Sequence, residues 1–165
     1  MKSRRVATPT SSHTPSGSHT TMSNQRIIDH LNAHKPGFLK LLGGEITDFD
    51  SDKQVCTFTF RVPFDFCHTG DVVQGGFVTA MLDAAMAHAI FGSDPNVARL
   101  SSLEISTRYE NATRGQTPLT VKGWVTKSTK SIAFMSGEIR AADGQLCASA
   151  QSVAKISRSG PRQEN

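Results

Sequence analysis

The sequence predicts an α+β domain in which a long antiparallel sheet curls around one buried helix. Three observations predict it. Between Phe77 and Phe91 the only polar side chains are Thr79, Asp83 and His88, and a helix that is apolar nearly all round belongs in an interior. Residues 98–157 then divide into four strand-like runs separated by turn residues. The last run alternates Ala148, Ala150 and Ala154 with Ser149, Gln151 and Val153. Small residues on a concave sheet face leave room for a helix, so helix and sheet can bury one another.

The elements follow in order. Residues 1–22 are rich in Ser, Thr, His and Pro, have little to bury, and are expected to be a disordered tail. They contain no apolar secretory core, and no amphipathic Arg helix of a transit peptide can be drawn. An unstructured extension, or initiation at Met22, fits them better. Ser23 or Asn24 can cap a helix running to His34, with Ile27, Ile28 and Leu31 at helical spacing. Pro36 ends it, and Phe38, Leu39, Leu41 and Leu42 form a short apolar turn.

Glu45–Asp50 and Lys53–Val62 read as a strand pair. In the second, Cys56, Phe58, Phe60 and Val62 share one face. The central helix runs from Gly75 to Phe91, and five alanines within it let other backbone come close. The four later strands, 98–111, 117–128, 131–142 and 145–157, read as a meander, with Asp143-Gly144 the sharpest hairpin signal. A domain thus spans residues 23–157, followed by a loose tail, 158–165.

Charge is unevenly placed. Residues 1–28 hold Lys2, Arg4, Arg5 and Arg26 and no acid, whereas residues 29–165 hold fourteen basic and fourteen acidic residues. The domain itself is neutral, which argues against a nucleic-acid surface. No run of eighteen apolar residues marks a membrane span. Cys56, Cys67 and Cys147 lack metal-binding spacing, so no metal site is expected, and free thiols in a cytoplasmic setting are the default.

Asp83 is the residue that needs explaining, because an ionised carboxylate is costly to bury without partners. It can serve structure, through the helix dipole or Thr79 four residues earlier, or it can serve chemistry. Gly75 and Gly76 leave the amides at the helix start uncovered by side chains, able to face an anion or a polarised carbonyl. Gly75 and Asp83 are about 12 Å apart by helix rise.

These residues carry a resemblance. In hotdog-fold acyl-CoA thioesterases of the phenylacetate-degradation and thioesterase-superfamily-member-2 type, Asn is followed after five residues by His-Gly-Gly. An Asp comes seven residues after the second Gly. Gln74-Gly75-Gly76 and Asp83, within Met81-Leu82-Asp83-Ala84-Ala85, match that spacing. Ser102 and Tyr109 occupy the places of the family's strand Ser or Thr and of its Tyr before a loop. Gln74 stands where the family has His, and His68 where it has Asn.

The resemblance, which covers about residues 24–156, implies a hotdog fold, no cofactor, an acyl-CoA substrate and a homodimer or homotetramer. It also implies that the Gly75 amide binds the thioester oxygen while Asp83, from a partner subunit, is general base or nucleophile. Ser102 then holds the water or Asp83, His68 orients the water or touches the thioester, and Gln74 and Gly76 shape the helix start. Arg114, Lys127 and Lys130 are candidates for the coenzyme A phosphates. Glu104 and Arg108 share a strand face with Ser102 and Ser106 by period two. A non-catalytic acyl-CoA-binding module is the alternative. A hydratase needs an Asp–His pair, and the five-residue step from Asp83 puts His88 on another helix face.

Overall fold

The computed structural model describes residues 18–159. The elements are α1 (Ser18–His34), α2 (Gly37–Leu41), β1 (Gly44–Asp50), β2 (Val55–Phe60), a 3-10 turn (Phe64–Phe66), α3 (Gly75–Ser93), β3 (Val97–Tyr109), β4 (Leu119–Ser128), β5 (Ile132–Ala141) and β6 (Leu146–Arg158). The six strands form one sheet in the order β1-β2-β4-β5-β6-β3, antiparallel throughout. Helix α3 packs against every strand from β2 to β6, as the hotdog arrangement requires.

The core follows the pattern of the sequence. Cys56, Phe58, Phe60 and Val62 are fully buried, and so are Ala148 and Ala154 of β6. Helix α3 is long and apolar enough to cross a membrane by composition, but the sheet covers it: Val78, Met81, Leu82, Ala85, Met86 and Ala89 are all buried. Its closest approach is at Gly123 of β4, where an added Cβ would lie 2.3 Å from the backbone of Ala85 and Met86. Only a residue without a side chain allows helix and strand backbones to come that near.

Two expectations need correction. The later strands are not a simple meander. The β4–β5–β6 run is, but β3 lies at the far edge, paired only with β6, and the chain after Tyr109 crosses back so that β4 pairs with β2. Local turn residues at Thr113–Gly115 marked a break in the strand and carried no information on where the next one would go. The first helix also begins at Ser18, ahead of the caps read at Ser23 and Asn24. Asn24 is instead hydrogen-bonded to the hydroxyl of Ser51. The tails expected to be loose are residues 1–22 and 158–165; of these, 1–17 and 160–165 lie outside the described residues, while α1 begins at Ser18 and β6 runs to Arg158.

The two sheet edges differ. At the β1 edge, Asn32 of α1 mimics a neighbouring strand: its amide nitrogen donates to the Ile46 carbonyl at 2.8 Å, and its oxygen accepts from the Ile46 amide at 3.0 Å. Strand β3, thirteen residues long, has no such cover among the described residues, and Leu103 on it is 61% exposed.

Candidate active site

The start of α3 is fixed by backbone bonds from the preceding loop. His68 donates to the Val72 carbonyl, Val73 to Thr113 and Gln74 to Phe66. Gln74 occupies the N-cap position without capping through its side chain. Consequently the N–H groups of Gly75 and Gly76 have no partner among the described residues, as the first amides of a helix require unless something caps them. With His68 and Tyr109 these glycines line a cavity of about 510 Å³.

The carbonyl side of Gly75 is held by a chain of hydroxyls. Tyr109 donates to the Gly75 oxygen at 3.0 Å. A phenol has one proton, so at the 3.0 Å contact between Thr79 and Tyr109 the threonine donates. Thr107 in turn donates to Thr79 at 3.0 Å. Thr79 is therefore committed to β3 and is not the partner of Asp83.

That partner is Ser102, whose Oγ donates to Asp83 Oδ1 at 2.9 Å. Asp83 is half-buried, not sealed. It lines a cavity of about 1120 Å³ between α1 and α3, whose walls include Ile27, Leu31, Leu39 and Phe91. Gly75 opens to a different cavity of the same chain. The structure thus brings Asp83 to Ser102, and His68 to Gly75 and Gly76, but within one chain keeps the two sets apart.

The face shared by Ser102 is not the one that period two gives. A β-bulge between Ser102 and Glu104 inserts Leu103 into the register with β6, and an extra residue reverses the alternation beyond it. Ser102 and Thr107 both reach α3, as does Tyr109. Glu104, Ser106 and Arg108 are exposed and line shallow depressions over β5 and β6 instead.

The basic candidates do not converge. Arg114 is ion-paired with Asp71 near the start of α3. Lys127 and Lys130 sit at the β4–β5 hairpin, the sheet end opposite to the one where Tyr109 pairs with Ala148. His88 departs from expectation too: it lines the same large cavity as Asp83. Its Nδ1 donates to the Ala84 carbonyl at 2.7 Å, and its ring packs edge-on against Phe58. Burial, with a smaller contribution from the charge of Lys35, lowers its pKa and outweighs the Ala84 bond. Burial also raises the Cys56 thiol far above its usual range.

Known proteins share this fold. The family model of the thioesterase superfamily matches residues 70–148, which run from the loop before α3 to the start of β6. Among solved structures, a thioesterase from Haemophilus influenzae aligns at 17% identity over 83% of this chain and 94% of its own, with a TM-score of 0.72. The E. coli PaaI protein from the phenylacetic acid degradation operon aligns at 17% identity over 86% and 96%, with a TM-score of 0.71. A hypothetical thioesterase from Streptococcus pneumoniae, solved with coenzyme A, aligns at 16% identity over 70% and 86%, with a TM-score of 0.63. At these identities the likeness is one of fold. No curated protein matches the chain.

Proposed function

Residues 70–148 belong to the thioesterase superfamily, and on that footing we propose that the protein hydrolyses an acyl-CoA thioester to the free acid and coenzyme A. The observation that carries the reading is the Asp83 carboxylate, held by Ser102 on the wall of the large apolar cavity. Water attacks the thioester carbon while Asp83 takes its proton, or Asp83 attacks directly and water then resolves the anhydride. The carbon–sulfur bond breaks, and the thiolate leaves and takes up a proton. The Gly75 amide, at the positive end of α3, donates to the carbonyl oxygen as negative charge builds on it. His68 orients the water, and Gln74 and Gly76 set the path of the loop.

Because Gly75 and Asp83 open to different cavities, the site needs two chains. We propose that the uncovered edge of β3 pairs antiparallel with its copy about a two-fold axis, giving a dimer that can double again. An exposed strand of thirteen residues is a ready template for this, and a two-fold interface is self-complementary. Such pairing sets the Tyr109 end of one sheet beside the Val97 end of the other. Arg114 of one copy and Lys127 and Lys130 of the other then share one mouth for the coenzyme A phosphates. A soluble thiol ester carrier explains the neutral domain without nucleic acid or lipid, and we place the protein in the cytoplasm.

The test is release of free thiol from a panel of acyl-CoAs by purified protein and by Asp83→Asn. The proposal expects turnover that falls by about 100-fold or more in the variant. Unchanged activity in Asp83→Asn removes the role given to the carboxylate. Tight acyl-CoA binding by the wild type without any turnover makes the protein a binding module.

A further inference from the structure

We infer that His88 determines specificity, and that the acyl group this protein prefers carries a neutral hydroxyl which donates to His88 Nε2 inside the α1–α3 cavity. This deepens the thioesterase reading and rests on it for the identity of the ligand.

The argument begins with the ring. His88 is 7% exposed, and its Nδ1 sits 2.7 Å from the Ala84 carbonyl. A carbonyl accepts only, so Nδ1 carries the proton. Burial keeps the imidazole neutral, and the charge of Lys35 acts in the same direction. Nε2 is then a bare lone pair. It has no hydrogen-bond partner among the described residues, yet none of their sealed side-chain polar atoms lacks one. Nε2 is therefore not sealed, and the open space beside His88 is the cavity it lines.

A bare acceptor on the cavity wall, beside the apolar Leu31, Ala84, Ala87 and Phe91, selects its ligand by chemistry. A carboxylate or keto oxygen brings a second lone pair to Nε2 and is repelled. An aliphatic chain leaves Nε2 without the hydrogen bond that water would have given it, which is unfavourable at a buried polar atom. A hydroxyl satisfies it without adding charge. The geometry sets where that hydroxyl lies. Asp83 and His88 line the same cavity and are five residues apart on one helix, a rise of about 7.5 Å. The two side chains also leave the helix about 140° apart, so the hydroxyl belongs at least six bonds from the thioester carbon. Ala84 and Ala87, which lie between Asp83 and His88 on the helix, also line the cavity, so the intervening part of the acyl group meets apolar surface.

The experiment compares hexanoyl-CoA with its terminally hydroxylated counterpart, in the wild type and in His88→Phe, by kcat/KM from thiol release. Calorimetric binding of the corresponding non-hydrolysable thioethers is measured alongside. The wild type is expected to favour the hydroxylated member by about three- to tenfold, the range of one net hydrogen bond. His88→Phe abolishes that preference while the plain member keeps its kcat/KM within a few-fold. Equal values for the two members in the wild type, in turnover and in binding, overturn the inference without a variant having to fold. A preference that persists in His88→Phe overturns it as well. If no thioester is hydrolysed but the thioethers still differ in affinity, the thioesterase reading fails and the hydroxyl-selecting pocket stands.

Discussion

Ser102 on the edge strand donates its hydroxyl to Asp83 in the middle of the central helix, across 2.9 Å. The bond ties the proposed base to the strand proposed to pair between subunits. It leaves the second carboxylate oxygen, Oδ2, without a hydrogen-bond partner among the described residues. Ser102→Ala should lower kcat by about ten- to a hundredfold, since a bond to a charged group aims it as well as stabilising it. Ser102→Thr, which keeps a hydroxyl, should recover most of the loss. Steady-state kinetics of the three forms checks this, and equal kcat in all of them removes Ser102 from the site.

Gly75 and Gly76 should respond differently to a methyl group. A Cβ at Gly75 would meet the Tyr109 hydroxyl at 3.2 Å, whereas one at Gly76 would meet nothing within 4 Å. Gly75→Ala is expected to cost about 1–3 kcal/mol of stability, and Gly76→Ala far less. Because the crowding atom belongs to Tyr109, the double variant Gly75→Ala/Tyr109→Phe should be more stable than the sum of the single changes implies. Urea denaturation of the four proteins measures that coupling.

Gly123 lets the backbones of β4 and α3 come together. Its Cβ would collide with helix backbone, which cannot swing aside as the end of a side chain can. Gly123→Ala should destabilise by about 3 kcal/mol or more, and a thermal melt close to that of the wild type contradicts the close approach.

Leu103 projects from the uncovered edge. Leu103→Lys places a charge of the kind that natural edge strands use against association. Light scattering should find the wild type as a dimer or larger and the variant shifted toward monomer, with turnover lost in parallel. A wild-type monomer with full activity contradicts the two-chain site.

The neutral state of His88 makes stability depend on pH. Its folded pKa lies below the ordinary value of 6.5, so below pH 6.5 the unfolded chain binds the proton more readily than the folded one. The stability contributed by the neutral ring is complete above that pH and declines as pH falls from 6.5 toward the lower folded value. Melting temperature should fall over this range more steeply in the wild type than in His88→Phe.

Much of the fold was legible because burial writes itself into local pattern. Cys56, Phe58, Phe60 and Val62 alternate without interruption and are all at the core. The small residues of β6 identify its concave face. The crossing of β3 to the far edge left no such trace, since strand order depends on distant partners. The reversal beyond Ser102 did leave one. Leu100 and Ile105 both pack on the core although an odd number of positions separates them, which an unbroken strand does not allow. Asp83 and the glycines were readable from spacing. The hydroxyl chain through Thr107, Thr79 and Tyr109 was not, because it joins residues nearly thirty positions apart.

That chain of hydroxyls reaches further than the atom it ends on. The oxygen of Gly75 and the N–H of Gly76 are two poles of a single planar group. Drawing electron density toward one pole acidifies the other, as in any relay of mutually polarising dipoles. A side chain on the rim, more than half open to solvent, thereby polarises the Gly76 N–H next to the amide proposed to hold the thioester oxygen, without touching either N–H.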